Sequence, residues 1–262
     1  MKDIQKTTDM RGIAIQRVGV KDVRLPFRIK TLSGGEQQVL ATIQFTVALP
    51  QEYKGTHMSR FIEILSRWQD QPLAEPEMEA ILEEALEKLE AESADLHIAF
   101  TYFVEKCAPV SGMKSVLDLD CFFHGTKERG EAMQFRLGVS VPATSLCPCS
   151  KEISAYGAHN QRSRLAVAAE FNAETPCIYI ENLAKLMEEE ASSPVYPLLK
   201  RTDEKYVTEY AYDHPKFVED ILRDLVLRMR GIEGMRWFSV DCENFESIHN
   251  HNAFAAHEEF VK

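Results

Sequence analysis

Apolar and polar positions change period several times along the chain, and those changes divide it into elements. Residues 39–49 alternate and are rich in β-branched side chains, which predicts a strand closed by Pro50. Residues 61–65 predict a short helix. Between Glu75 and Glu92, Met78, Ile81, Leu82, Ala85, Leu86 and Leu89 recur at helical spacing, with acids and Lys88 opposite. Residues 96–104 and 115–123 read as strands, followed by a charged turn between Gly125 and Gly130. The first eleven residues are polar and carry no periodic signal.

A second pass of the same plan follows. Residues 133–141 predict a strand ended by Pro142, and residues 164–171 another. Residues 178–190 predict a helix. A stronger one spans 215–230, with Val218, Ile221, Leu222, Leu225 and Met229 as its buried stripe. Asp213 or His214 is its candidate cap, Pro215 suits its first turn and Gly231 its end. Residues 236–241 and 253–260 close the chain as strands. Gly157-x-His159-x-x-Arg162 repeats the spacing of Gly55-x-His57-x-x-Arg60. The order strand–strand–helix–helix–strand–strand occurs twice, which predicts a duplicated module, with units at 1–128 and 129–262. The interval from proline to glycine is longer in the second copy and holds Cys147, Cys149 and Lys151. Loops carry chemistry more often than packing, so the chemistry is assigned to the second module.

Composition narrows the class. In 262 residues, 45% hydrophobic and 27% charged content describes a globular, soluble chain. No apolar run approaches the length of a membrane span and no leader is evident, so neither membrane insertion nor secretion is expected. Six cysteines without scaffold-like density suit a reducing cytoplasm. A net charge of −11 argues against a broad nucleic-acid surface. Local pairs such as Lys54/Arg60 and Arg162/Arg164 still permit a small polyanionic ligand.

The candidate chemistry centres on Leu146-Cys147-Pro148-Cys149-Ser150 and the imidazole of His159. Cys147 and His159 are ligand types that Zn²⁺ favours. The other cysteines (Cys107, Cys121, Cys177, Cys242) stand apart, so no second pair completes a closed structural site. Thiolate, imidazole, one carboxylate and an open position would instead describe a catalytic metal. Cys149 has three readings: a thiol behind the ligands, a ligand itself, or an oxidisable partner of Cys147.

Ser145–Lys151, Tyr156–Ser163, Lys205-Tyr206-Val207-Thr208-Glu209, Pro215–Asp220, Glu243–His251 and Lys54–Arg60 together resemble the type IB GTP cyclohydrolases, along nearly the whole chain. The resemblance implies an α+β fold, the bimodular tunnelling fold, with two ββααββ modules of antiparallel sheet and helices on one side. It implies a homotetramer with active sites between subunits. The implied reaction converts GTP and water to 7,8-dihydroneopterin triphosphate and formate, the first step of tetrahydrofolate biosynthesis. A Lewis-acidic Zn²⁺ or Mn²⁺ that lowers the pKa of water suits it. Cys147 and His159 are the expected ligands, joined through the resemblance by Glu204. Glu246 and His249, with His251 close by, are candidates for general acid and base, and Cys149 for a catalytic thiol. The resemblance gives Glu219 to the guanine N1–H and 2-amino donors. Lys54, His57, Arg60, Lys151 and Arg162 are candidates for the triphosphate. Two other readings fit the thiols: an NADPH-dependent nitrile reductase of the same fold with a nucleophilic cysteine, and a non-enzymatic zinc clip.

Overall fold

The computed structural model describes residues 5, 7–172, 174–175 and 177–261. Of the polar opening segment, residues 1–4 and 6 lie outside the described residues.

The first half runs β1 (Ile15–Lys30), β2 (Glu36–Leu49), α1 (Met58–Trp68), β3 (Pro72–Leu73), α2 (Glu75–Lys88), β4 (Ser93–Cys107) and β5 (Lys114–Glu128). The second runs β6 (Gln134–Leu146), α3 (Pro148–Ile153), β7 (Asn160–Phe171), α4 (Ile180–Glu189), β8 (Ser193–Pro194), α5 (Arg201–Asp213), α6 (Val218–Arg230), β9 (Met235–Asn244) and β10 (Ala253–Phe260). The ββααββ order is present in both halves. The second adds α3 and α5.

Contacts divide the chain into two compact units: Met1–Thr101 with Phe122–Leu137, and Tyr102–Cys121 with Gly138–Lys262. In the first, the strand order is β3-β1-β2-β4-β5-β6, using the parts of β4, β5 and β6 that belong to it. β1 and β2 are antiparallel, with Phe27 opposite Val39, and β2 meets β4 with Phe45 opposite Leu96. Inward residues Phe27, Ile29, Ala41, Ile43 and Phe45 are almost fully buried. Over them lie Phe61, Ile64 and Leu65 of α1 and Met78, Ile81, Leu82, Ala85 and Leu86 of α2. Phe61 meets Phe45 edge to face, at 5.3 Å between ring centres.

In the second unit the order is β4-β5-β6-β7-β9-β10, with β8 beside β6. β9 is antiparallel to both β7 and β10, placing Val167 opposite Val240 and Phe254 opposite Glu243. α4 buries Ile180, Leu183, Ala184 and Met187, and α6 buries Val218, Ile221, Leu225, Val226 and Met229.

Five expectations change. β1 precedes the first strand expected; its register shifts between Val20 and Val23, where Asp22 takes a φ of 58°, and that break hides the alternation. Pro142 does not end its strand. β6 continues to Leu146 because Val139, Val141 and Ala143 keep alternating inward, and that burial outweighs one missing N–H. Gly125 belongs to β5, not to a turn. A Cβ there would come within 2.9 Å of Leu82 Cδ1 and 3.2 Å of Met133 Sδ, so the glycine lets α2 approach the sheet. The segment around Glu204 is the helix α5, hidden because only Asp203 and Ala211 are buried along it. Finally, α6 starts at Val218 and not at Pro215, since Asp220 reaches back to the Phe217 N–H at 3.1 Å.

Candidate active site

The end of β6 and the start of β7 are fastened together at Cys147 and His159, both in the second unit. The Cys147 N–H donates to the His159 carbonyl at 3.1 Å. Ser150 completes the clasp: its hydroxyl donates to the Cys147 carbonyl and accepts from the His159 N–H, each at 3.1 Å. Cys147 is also the N-cap of α3, where Pro148 fits the first position, and its sulfur accepts the Ser150 N–H at 3.4 Å. Cys149 lies exposed one residue inside this helix.

Beneath the clasp is a buried polar cluster that the sequence reading passed over. Ser145, Gln161, Ser163 and Asn244 are 1%, 7%, 1% and 3% exposed. The Ser145 hydroxyl donates to the Lys216 carbonyl at 3.0 Å and accepts from the side-chain amides of Asn244 at 3.1 Å and Gln161 at 3.4 Å. Ser163 donates to the Asn244 oxygen at 2.6 Å, and Gln161 Oε1 stands 2.9 Å from His159 Nδ1. One hydroxyl therefore links four segments: β6 below Cys147, β7 beyond His159, the residues leading to Glu219, and the end of β9 below Glu246. Gln161 and Ser163 occupy the inward phase of β7, ahead of Leu165 and Val167. Polar residues on the buried phase of a strand were the legible signal.

Glu204 is exposed in the first turn of α5. Its neighbour Asp203 is fully buried and accepts from the Lys200 N–H (2.8 Å), the Val110 and Ser111 N–H groups (2.9 and 2.8 Å) and the Ser111 hydroxyl (2.6 Å). Burial pushes its carboxyl up, but these donors outweigh burial and hold it well below the usual carboxylate range. The start of α5 is thus fixed by a carboxylate next to the candidate ligand. Thr208, one turn on, donates to the Glu204 carbonyl at 2.7 Å and lines a cleft with Asn160, Arg162 and Tyr196.

Arg162 also lines a second cleft, with Asp118, Asp120, Arg164 and Phe245. Lys151 is turned to α5: its amine donates to the Tyr212 carbonyl and lies 4.2 Å from the centre of the Tyr212 ring. Glu219 is exposed in the first turn of α6. Glu246, His249 and His251 lie on the β9–β10 loop, where the two imidazoles stack at 5.1 Å. The loop is pinned at its base, Phe245 N–H donating to Arg162 O at 2.9 Å and Asn252 to Glu243 at 2.9 Å. The Asn252 amide and the Arg164 guanidinium lower the Glu243 pKa.

Lys54, His57 and Arg60 belong to the first unit. His57 is the N-cap residue of α1, and Arg60 donates to the Lys88 carbonyl. His57 and Arg60 line a small recess with Tyr53 and Glu90.

Thiol and imidazole are donor types that suit a borderline divalent cation, and the clasp holds the two residues that carry them side by side. Among the described residues, no three His, Cys, Asp or Glu side chains form a group that could hold a metal ion, so Glu204 is not brought to the pair within this chain.

Solved structures show the fold class. The uricase of Arthrobacter globiformis matches with a TM-score of 0.52 at 7% identity, covering 94% of each chain. A mutant urate oxidase of Bacillus sp. TB-90 matches with a TM-score of 0.50 at 10% identity, covering 94% of this chain and all of that one. At such identity the likeness speaks for the fold alone, and that fold is the tunnelling fold.

Sequence comparison goes further. The profile of the family "Type I GTP cyclohydrolase folE2" matches residues 1–255. GTP cyclohydrolase FolE2 of Geobacter metallireducens is 52% identical over 256 residues, covering 98% of this chain and 96% of the relative. That of Geobacter sulfurreducens is 51% identical over 259 residues, covering 99% and 98%. The chain belongs to the type I GTP cyclohydrolase FolE2 family.

Proposed function

We propose that the chain is a GTP cyclohydrolase I that converts GTP and water to 7,8-dihydroneopterin triphosphate and formate, for folate biosynthesis. The family match over residues 1–255, which contains the clasped Cys147–His159 pair, carries the reading.

Cys147 and His159 would hold a divalent cation, Zn²⁺ or Mn²⁺, and Glu204 would have to close on the pair to serve as the third protein ligand. The cation would supply Lewis acidity toward the water that adds to C8 of the purine. Glu219 accepts the guanine N1–H and 2-amino donors as a bidentate pair, which selects guanine over adenine. Glu246 and His249 exchange protons with the ring nitrogens as the imidazole opens and formate leaves, and Cys149 serves as the catalytic thiol. Arg162, lining both clefts, is the first choice for the triphosphate, with Lys54, His57, Arg60 and Lys151 as further contacts. Lys151 would have to exchange the Tyr212 carbonyl for phosphate.

The active form is a homotetramer with sites between chains. What supports assembly is β10, the end strand of its sheet, which shows Phe254 and Phe260 to solvent. The cytoplasm is the proposed compartment, in keeping with six cysteines at a density well short of a disulfide scaffold. Among the described residues, no helix is long and apolar enough to cross a membrane.

The test strips the protein with chelator, resupplies Zn²⁺ or Mn²⁺, and measures formate and pterin from GTP. Metal-restored release of both is expected. Binding of GTP without turnover under either ion would overturn the reading.

A further inference from the structure

The cluster behind His159 assigns protons as well as positions. The Lys216 carbonyl can only accept, so the single proton of the Ser145 hydroxyl is committed to it at 3.0 Å. Ser145 can then only accept from its other neighbours, and Gln161 must turn its NH₂ toward it, at 3.4 Å. That leaves Gln161 Oε1 facing His159 Nδ1 at 2.9 Å, and an amide oxygen there requires a proton on Nδ1. In the neutral ring Nε2 is then the nitrogen with the open lone pair. Asn244 reinforces the arrangement, since Ser163 occupies its oxygen and so turns its NH₂ to Ser145.

We propose that Gln161 is a positioning residue, oriented by Ser145, that holds His159 as the Nδ1–H tautomer and offers Nε2 to a borderline divalent cation. The inference rests on the reading of His159 as a ligand. It gives two buried polar side chains, which otherwise only add desolvation cost to β6 and β7, a reason to be where they are.

The experiment uses the full chain without added metal, labelled with ¹⁵N-histidine, above the pH at which imidazole protonates. Long-range proton–nitrogen correlations report the tautomer, with His159 assigned from His159→Gln. Zn²⁺ affinity is read in parallel by competition with a chromophoric chelator. The wild-type ring is expected as Nδ1–H. Gln161→Met, which fills the space but cannot accept, should give mixed tautomers and weaken Zn²⁺ binding by about 10–100-fold. Gln161→Glu, which still accepts from Nδ1, should keep both the tautomer and the affinity. An unchanged tautomer and affinity in Gln161→Met overturns the proposal, as does Gln161→Glu behaving like Gln161→Met. Should Gln161→Met not fold, Ser145→Ala carries the test: mixed tautomers support the relay, and a pure Nδ1–H ring overturns it. A tautomer that responds as expected in a wild-type chain that binds no Zn²⁺ upholds the positioning and removes the ligand reading instead.

Discussion

Cys147 and His159 hold each other by the backbone: the N–H of the first donates to the carbonyl of the second at 3.1 Å, and the Ser150 hydroxyl bridges the reverse path. The backbone pairing fixes the two residues as neighbours on adjoining segments, so the ordering cost of bringing them side by side is met by folding. Replacing either side chain should therefore remove chemistry and leave the fold. Cys147→Ser and His159→Ala are expected to lose bound metal and at least about 100-fold in formate release, with unfolding midpoints close to wild type. A variant that keeps both metal and rate would remove its residue from the ligand set.

Glu219 tests the guanine assignment. In Glu219→Gln the charge is lost and an amide NH₂ can face the guanine donors, while the exposed position predicts little change in stability. A loss of one charged hydrogen bond, about 1.5–3 kcal/mol, corresponds to a fall of about 10–150-fold in kcat/KM for GTP. Steady-state kinetics beside a thermal melt separates the effects. An unaltered kcat/KM would free Glu219 of the role.

Asp203 should make the second unit sensitive to acid. Its carboxyl is depressed in the folded chain, so its contribution is fully present above the unfolded carboxylate pKa of about 3.9 and is lost as pH falls through the folded value. Asp203→Asn should lower the melting midpoint by several degrees at pH 7, and the gap from wild type should narrow as pH drops below about 4. Glu204 should lose its fixed place at the same time. A gap that stays constant with pH would place the stabilisation elsewhere.

The Lys106–Glu188 pair is nearly enclosed, at 2.5 Å with side chains 12% and 10% exposed. Burial raises the Glu188 pKa, against the opposing pull of Lys106. Lys106→Met should destabilise by about 3–5 kcal/mol, because an acid remains buried without its counter-charge. The double change Lys106→Met/Glu188→Leu should recover most of that loss. Chemical denaturation of the three chains gives the comparison, and a double variant no better than the single one would contradict it.

Much of this protein was written in one dimension. The α2 stripe, from Met78 to Leu86, is buried as its spacing predicts, and the α6 residues Val218, Ile221, Leu225 and Met229 are too. Both follow from a single helical face, which a 3.6-residue period expresses directly. The order of strands and helices and the family motifs are equally local, and they were enough to indicate the tunnelling fold and the GTP cyclohydrolase family. A bulge at Asp22 could not be seen, since it interrupts the alternation along β1 and only the pairing with β2 shows that one strand continues through it. Nor could α5, whose two buried residues leave no stripe to count.

The site divides in the same way. Cys147, His159 and Glu219 announce themselves by residue type and motif. That the Ser145 hydroxyl ties together residues 16, 71 and 99 positions away is a property of the folded sheet alone. Hydrogen bonds across such separations have no period and no motif. The sequence determined which groups could do the chemistry; tertiary structure decided which polar neighbours hold them, because only the packed strands bring those neighbours within reach.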